Sequence, residues 1–204
     1  MPVRGPRLKI VRRLGVALPG LTRKSPRGDT RTAPPSRRRR KSAHRLRLEE
    51  KQKLRWNYGV SERQLRHYLA RARRMSGAAG ENVLALLERR LDNVVFRLGL
   101  APTIPAARQL VVHGHVTIDA RRVDRPAYLV RAGETIALSQ RARETPTLSA
   151  CAEGSAQGGP ALRVPSFLCR DPDDPFAGRV VATPTRSDTS FPVHEALVIE
   201  HYAR

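Results

Sequence analysis

Charge is distributed along this chain in a way that few folds tolerate. From Met1 to Met75 there are 24 Lys and Arg against 4 Asp and Glu, whereas Ser76 to Arg204 carries 15 and 14. Nearly all of the formal net charge of +21 therefore sits in the first third of 204 residues. A block of one sign repels itself in a compact state, so it must stay at the surface and find counter-charge. A merely solvated charge run is the plainer alternative, but self-repulsion on this scale points to a polyanionic partner. The remaining two thirds has the balance of an ordinary folded domain, with length enough for a core. Aromatic residues are only 4 %, so that core is built from Leu, Val and Ala.

Other classes are excluded quickly. Cys151 and Cys169 are too few for a disulfide framework and lie in no zinc-ligand spacing, so both are read as unpaired thiols and no metal or other cofactor is expected. No apolar run approaches the length of a membrane span. The first residues lack the apolar centre of a secretory signal.

The first third is punctuated. In RGPRLKIVRR, Arg4 to Arg13, Leu8 and Val11 with Leu14 beyond form one apolar edge between cations, which suggests a short helix or an irregular arm that orders on its partner. Ser25 to Ser42 holds three prolines and the run Arg37-Arg38-Arg39-Arg40-Lys41. That composition builds no core, and the segment is expected to be disordered when free. A nuclear-localisation signal is the rival reading, disfavoured because basic residues continue on both sides. His44 to Trp56 is expected to be helical, with Glu49 and Glu50 placed to pair with Lys53. Ser61 and Gln64 have the spacing of a capping box. In the helix that follows, Leu65, Tyr68, Leu69 and Ala72 face inward and Arg66, Arg71, Arg73 and Arg74 lie outside.

Glu81 to Leu98 reads as one helix, with Leu84, Leu87, Leu91, Val94 and Leu98 at spacings of three and four. Gly99 is placed for a left-handed cap. Thr103 caps a second helix, with Pro105 in its first turn and Gly114 past its end. Val116 to Ile118 and Ile136 to Leu138 read as short strands, with Asp119-Ala120-Arg121 turning between. Thr145 to Gly159 is expected to be a loop, Val164 to Arg186 carries no assignment, and Ala196 to Tyr202 reads as a strand. The fold class is α+β: a basic disordered arm over 1–42, a helical domain over 43–80, a helix–turn–helix with a small β-sheet over 81–143, and a loop-rich extension over 144–189.

Four segments carry a resemblance. RGPRLKIVRRLG, LEEKQKLRWNYGVSERQ, LLERRLDNVVFRLGLAPTIPAARQLVVHGHVTID and the terminal ALVIEHYAR resemble the bacterial-type small-subunit ribosomal protein S-four family, in the family's order. The resemblance implies a helical domain that carries the C-terminal segment 190–204, beside an RNA-binding module. It implies binding to the five-prime domain of small-subunit rRNA early in assembly, a role in translational accuracy, and ribosomal protein S-five as neighbour. The chain lacks the Gly-Gln-His-Gly that many bacterial members carry and has Pro35-Ser36-Arg37-Arg38 there. Land-plant plastid members share that lack and a segment like APTIPAARQLV, which favours a plastid ribosome over a bacterial cytoplasm. Val112 stands where the family has Asn, and Asp119-Ala120 where it has an Asn-Gly-type turn. Similar modules occur in pseudouridine synthases and tyrosyl-tRNA synthetases, but little chain is left here for a catalytic domain. A stand-alone RNA-binding or RNA-modifying protein remains the alternative.

Helical RNA hides its base edges in a deep groove, so a rigid basic surface reads phosphates and 2′-hydroxyls. The candidate contacts are Arg4, Arg7, Lys9, Arg12 and Arg13 of the arm, Arg37, Arg38, Arg39, Arg40 and Lys41 of the basic run, and Lys53 and Arg55 of the first long helix. In the module they are Arg90 and Arg97, seven residues apart and expected on one helix face, then Arg108, Gln109, His113, His115, Arg121 and Arg122; pairing with a nearby acid is the alternative for Arg90, and closing the helix is the alternative for each His. Asp92 and Asn93 are read as structural. No catalytic constellation is visible.

Overall fold

The computed structural model describes residues 6–23, 42–156 and 163–203. The chain divides into two compact units, one of Met1–Val83 with Phe191–Arg204 and one of Leu84–Ser190.

The first unit is helical. α1 (Arg7–Leu14) ends at Gly15, whose N–H returns to the Val11 carbonyl at 2.9 Å. Val11, Leu18 and Leu21 are fully buried, so this part of the supposed arm belongs to the core. The Gly20 N–H donates to Asn57 Oδ1 at 3.1 Å, fixing the segment to the end of α2 (Ala43–Asn57). Ser42 caps α2; the disorder expected over the rest of Ser25–Ser42 lies outside the described residues. Glu50 takes the Lys53 ammonium at 2.5 Å, and Glu49 takes Arg45 at 3.1 Å. α3 (Glu62–Ala72) opens with the expected capping box: Ser61 Oγ accepts the Gln64 N–H at 3.2 Å and Gln64 Oε1 accepts the Ser61 N–H at 2.9 Å.

The boundary between units falls inside α4 (Ala79–Glu88). Here the single helix expected over Glu81–Leu98 is corrected, because it breaks at Arg90, which is extended (φ −64°, ψ 136°) ahead of α5 (Leu91–Arg97). The backbone groups freed by the break find partners in a neighbouring loop. Leu91 N–H donates to the Tyr128 carbonyl at 2.8 Å, and Val130 N–H donates to Arg89 at 2.9 Å. The apolar stripe hid the break because both pieces face one core.

α5 ends as expected at Gly99 (φ +77°), with Leu100 N–H bonded to Val95 O and Gly99 N–H to Phe96 O. Thr103 Oγ1 accepts the Ala106 N–H at 3.4 Å and opens α6 (Ile104–Val112), which closes through the same motif at Gly114. β1 (Val116–Ile118) then turns into β2 (Arg121–Arg122) through Asp119 and Ala120, both at positive φ. Asp119 holds the turn by accepting the Thr135 N–H at 2.9 Å, while Ala120 bears its Cβ in a conformation that glycine would adopt freely. β3 (Thr135–Leu138) pairs with β1.

Three further expectations are corrected. The loop expected over Thr145–Gly159 is helical from Pro146 to Ala156: after the short α7 (Gln140–Arg143), α8 (Pro146–Ala156) buries Leu148, Cys151 and Ala152 at helical spacing, and residues 157–159 lie outside the described residues. Small residues made that stripe faint in sequence. The unassigned stretch supplies β4 (Leu168–Arg170) and β5 (Ala177–Val180), completing an antiparallel sheet in the order β2-β1-β3-β5-β4. Arg143 grips Asp174 through two bonds of 3.1 and 2.7 Å and so ties α7 to the β4–β5 turn. Finally, Ala196–Tyr202 is not a strand; Glu195–His201 is α9 and packs on α2. A lone strand there would leave its backbone groups unpaired, whereas a helix satisfies its own and buries Val198.

Candidate nucleic-acid interface

The candidate contacts separate by burial. Arg90 is 1 % exposed and donates from Nε and Nη2 to Asp92 at 3.0 and 2.6 Å. Arg97 is 4 % exposed; its Nη2 donates to the Asp188 carbonyl and its Nε lies 3.8 Å from Glu88. These two arginines do not share an exposed helix face, since the chain breaks at one of them and both guanidiniums point into the unit. A buried cation must be paired and hydrogen-bonded, which is the role both perform. Asn93 donates to Glu88 Oε2 at 2.6 Å and to the Glu88 carbonyl, so Asp92 and Asn93 hold the break together.

Arg108 stands between the two groups. Its Nε and Nη2 reach Asp92 Oδ2 at 3.1 and 2.7 Å, yet 26 % of the side chain is exposed. One carboxylate thus orients two guanidiniums, one inside and one at the surface. Lys53 and Arg55 are also half-buried: Lys53 holds Glu50, and Arg55 lies 3.5 Å from Glu62 and over the Trp56 ring.

The outward cations are elsewhere. Arg7, Lys9, Arg12 and Arg13 are exposed along α1, while Arg4, Arg37, Arg38, Arg39, Arg40 and Lys41 lie outside the described residues. In the second unit Gln109, His113, Arg121 and Arg122 are exposed. The fold brings three of the module residues together. The Arg122 guanidinium lies over Gly114, leaving no space for a Cβ there, and Gly114 separates His113 from His115. Their rings stand 6.3 Å apart, and Ser139 Oγ lies 3.4 Å from His115 Nδ1. The result is a compact set of donors at the end of α6, with Arg121 on the adjoining strand.

The candidate set omitted the outer face of α3 and the turn that follows it, where Arg63, Arg66, His67, Arg71, Arg73 and Arg74 are all exposed. Their spacing against the Leu65, Tyr68, Leu69 and Ala72 stripe was the signal. Arg125, Arg131 and Arg179, exposed on the second unit, had no such signal, because loops and unassigned strands display them.

Such a molecule presents fixed cations on rigid elements while keeping its buried charges paired, which defines a basic binding protein for an extended polyanion. Residues 2–88 match the family described as Ribosomal protein S4/S9 N-terminal domain, and residues 89–136 match the S4 domain. The small ribosomal subunit protein uS4 of Thermosynechococcus vestitus is 49 % identical over 205 residues, spanning 98 % of this chain and 97 % of the relative. The uS4 proteins of Nostoc punctiforme and Synechococcus elongatus are 49 % and 50 % identical, with the same shares covered. The chain belongs to the ribosomal protein uS4 family, as the four quoted segments implied.

Proposed function

We propose that this chain is a structural constituent of the small ribosomal subunit that binds small-subunit rRNA directly and helps to nucleate its assembly. The observation that carries this reading is the likeness to uS4 proteins, close to half identical over nearly the whole of both chains. The exposed cations of α1, α3 and the α6–β2 corner support it, since they can neutralise phosphates without disturbing the core. On this reading the RNA-facing set is Arg7, Lys9, Arg12 and Arg13, the α3 arginines, and Arg108, Gln109, His113, His115, Arg121 and Arg122. Arg4 and the run Arg37 to Lys41 would add sequence-independent affinity. Arg90 and Arg97 stay inside as supports.

The finer assignments rest on the family resemblance. They are the five-prime domain of the rRNA as target, ribosomal protein S-five as neighbour, an influence on accuracy, and a plastid ribosome. The test is sedimentation of a tagged chain with small subunits through a high-salt wash, with filter binding to separate rRNA domains. Retention on the subunit and preference for the five-prime domain are expected. Loss from the subunit at high salt, with equal binding to every fragment, would overturn the proposal. Detection of the chain in ribosomes from purified plastids or from a bacterial cytoplasm of the source cells decides between the two settings.

A further inference from the structure

In the first unit a cleft of about 370 Å³ opens between α2, α3 and the end of α9, lined by Lys51, Glu62, Arg66, Arg73, His201 and Tyr202 among others. Arg66 on α3 and Arg73, which caps the end of α3, lie seven residues apart, about two helical turns. Glu62 is the one acid in the lining, and it is oversubscribed. Lys51 Nζ stands 3.4 Å from it, Arg55 Nη1 3.5 Å and Arg66 Nε 3.9 Å, and the Tyr202 hydroxyl donates to it at 2.5 Å. The Tyr202 ring lies under two of these cations, with Lys51 Nζ at 5.8 Å and the Arg66 guanidinium at 6.0 Å from its centre. Among the described residues Arg73 has no acidic partner. Burial and then the charge of Lys51 lower the His201 pKa, which disfavours a further positive charge in the cleft.

One carboxylate cannot neutralise the cations gathered here. Lys51 is buried, so its charge is poorly screened by solvent and is not cheaply left in excess. We infer that the cleft seats a phosphate group, held between the Arg66 and Arg73 guanidiniums at its mouth and the Lys51 ammonium within. Guanidinium forks suit phosphate oxygens, and a second anion would relieve the surplus that Glu62 leaves. The phosphate is either one linkage of an RNA backbone or a free ion. The first source rests on the function proposed above.

The test uses the full chain in two arms. In the first, His201 ring resonances are followed while inorganic phosphate replaces chloride at constant ionic strength. In the second, affinity for the rRNA five-prime domain is measured across a salt series. Both arms include the double variant Arg66→Gln with Arg73→Gln and the single variant Glu62→Gln, with circular dichroism to check folding. A saturable shift with phosphate, lost in the double variant and tightened several-fold in Glu62→Gln, supports a free-ion seat. An RNA salt slope shallower by about 0.7–0.9 per lost contact in the double variant, with competition by phosphate in the wild type, supports a backbone seat. No phosphate-specific shift together with an unchanged slope overturns the inference. If the wild-type chain fails to bind rRNA at all, the function proposed above fails, and the first arm still decides the cleft.

Discussion

Arg122 lies across Gly114, and the glycine makes that contact possible twice over. Its φ of +72° suits the close of α6, and its missing Cβ leaves the space the guanidinium fills. Gly114→Ala should therefore cost about 1–2 kcal/mol for the left-handed backbone alone. It should also displace Arg122. The expected result is a lower unfolding midpoint and a loss of rRNA affinity similar to that of Arg122→Ala, measured by urea denaturation and filter binding. Full affinity in the alanine variant would remove Arg122 from the contact set.

Asp92 sits under two arginines, and its loss should be severe. Asp92→Ala leaves Arg90 buried without its carboxylate, and breaking such a pair costs about 3–5 kcal/mol. Arg108→Ala should cost much less, because Arg90 keeps its partner and Arg108 is partly solvated. Thermal unfolding of the two variants checks the order. RNA affinity of Arg108→Ala, measured well below its midpoint, separates a contact role from a supporting one.

Deleting Met1 to Ser42 should destabilise the first unit. The charge pattern alone favours a dispensable arm, but Val11, Leu18 and Leu21 are buried in it. Leu21→Ala should cost about 2–5 kcal/mol as a large-to-small core change. Chemical denaturation of this single variant beside Arg12→Ala, which is exposed, distinguishes core from arm. The arginine variant should unfold at the wild-type midpoint and show a shallower salt slope.

Asp188 gives the second unit a sensitivity to acid. Burial would raise its pKa, but the Thr185 and Ser166 N–H groups and hydroxyls bond its carboxylate and hold it below its ordinary value of 3.8. A group whose pKa is depressed by folding stabilises the fold above its unfolded pKa. That stability is lost as pH falls through the folded value. Unfolding midpoints should therefore fall as pH drops below the ordinary value of 3.8 in the wild type, and fall less in Asp188→Asn. Equal pH dependence in both would assign the effect to other carboxylates.

Local signals in the sequence determined a good deal. The capping box at Ser61, the caps at Gly99 and Thr103, the α3 stripe and the β1 and β3 strands each depend on a few neighbouring residues, and each is present. The family was legible for the same reason, since its segments are continuous. Tertiary structure decided what depends on distant partners. The stripe from Glu81 to Leu98 is periodic whether or not it breaks, and it is the loop through Tyr128 and Val130, bonded to Leu91 and Arg89, that holds the break open. Whether Arg90 pairs with an acid or faces outward is open in sequence, and Arg97 looks like a surface cation, until Asp92, Glu88 and the Asp188 carbonyl are brought to them. Residues 196–202 satisfy strand or helix locally, and α2 decides for helix by offering a surface instead of a sheet edge. Charge and periodicity act over a turn or two of chain, whereas burial is set by what the rest of the fold places alongside.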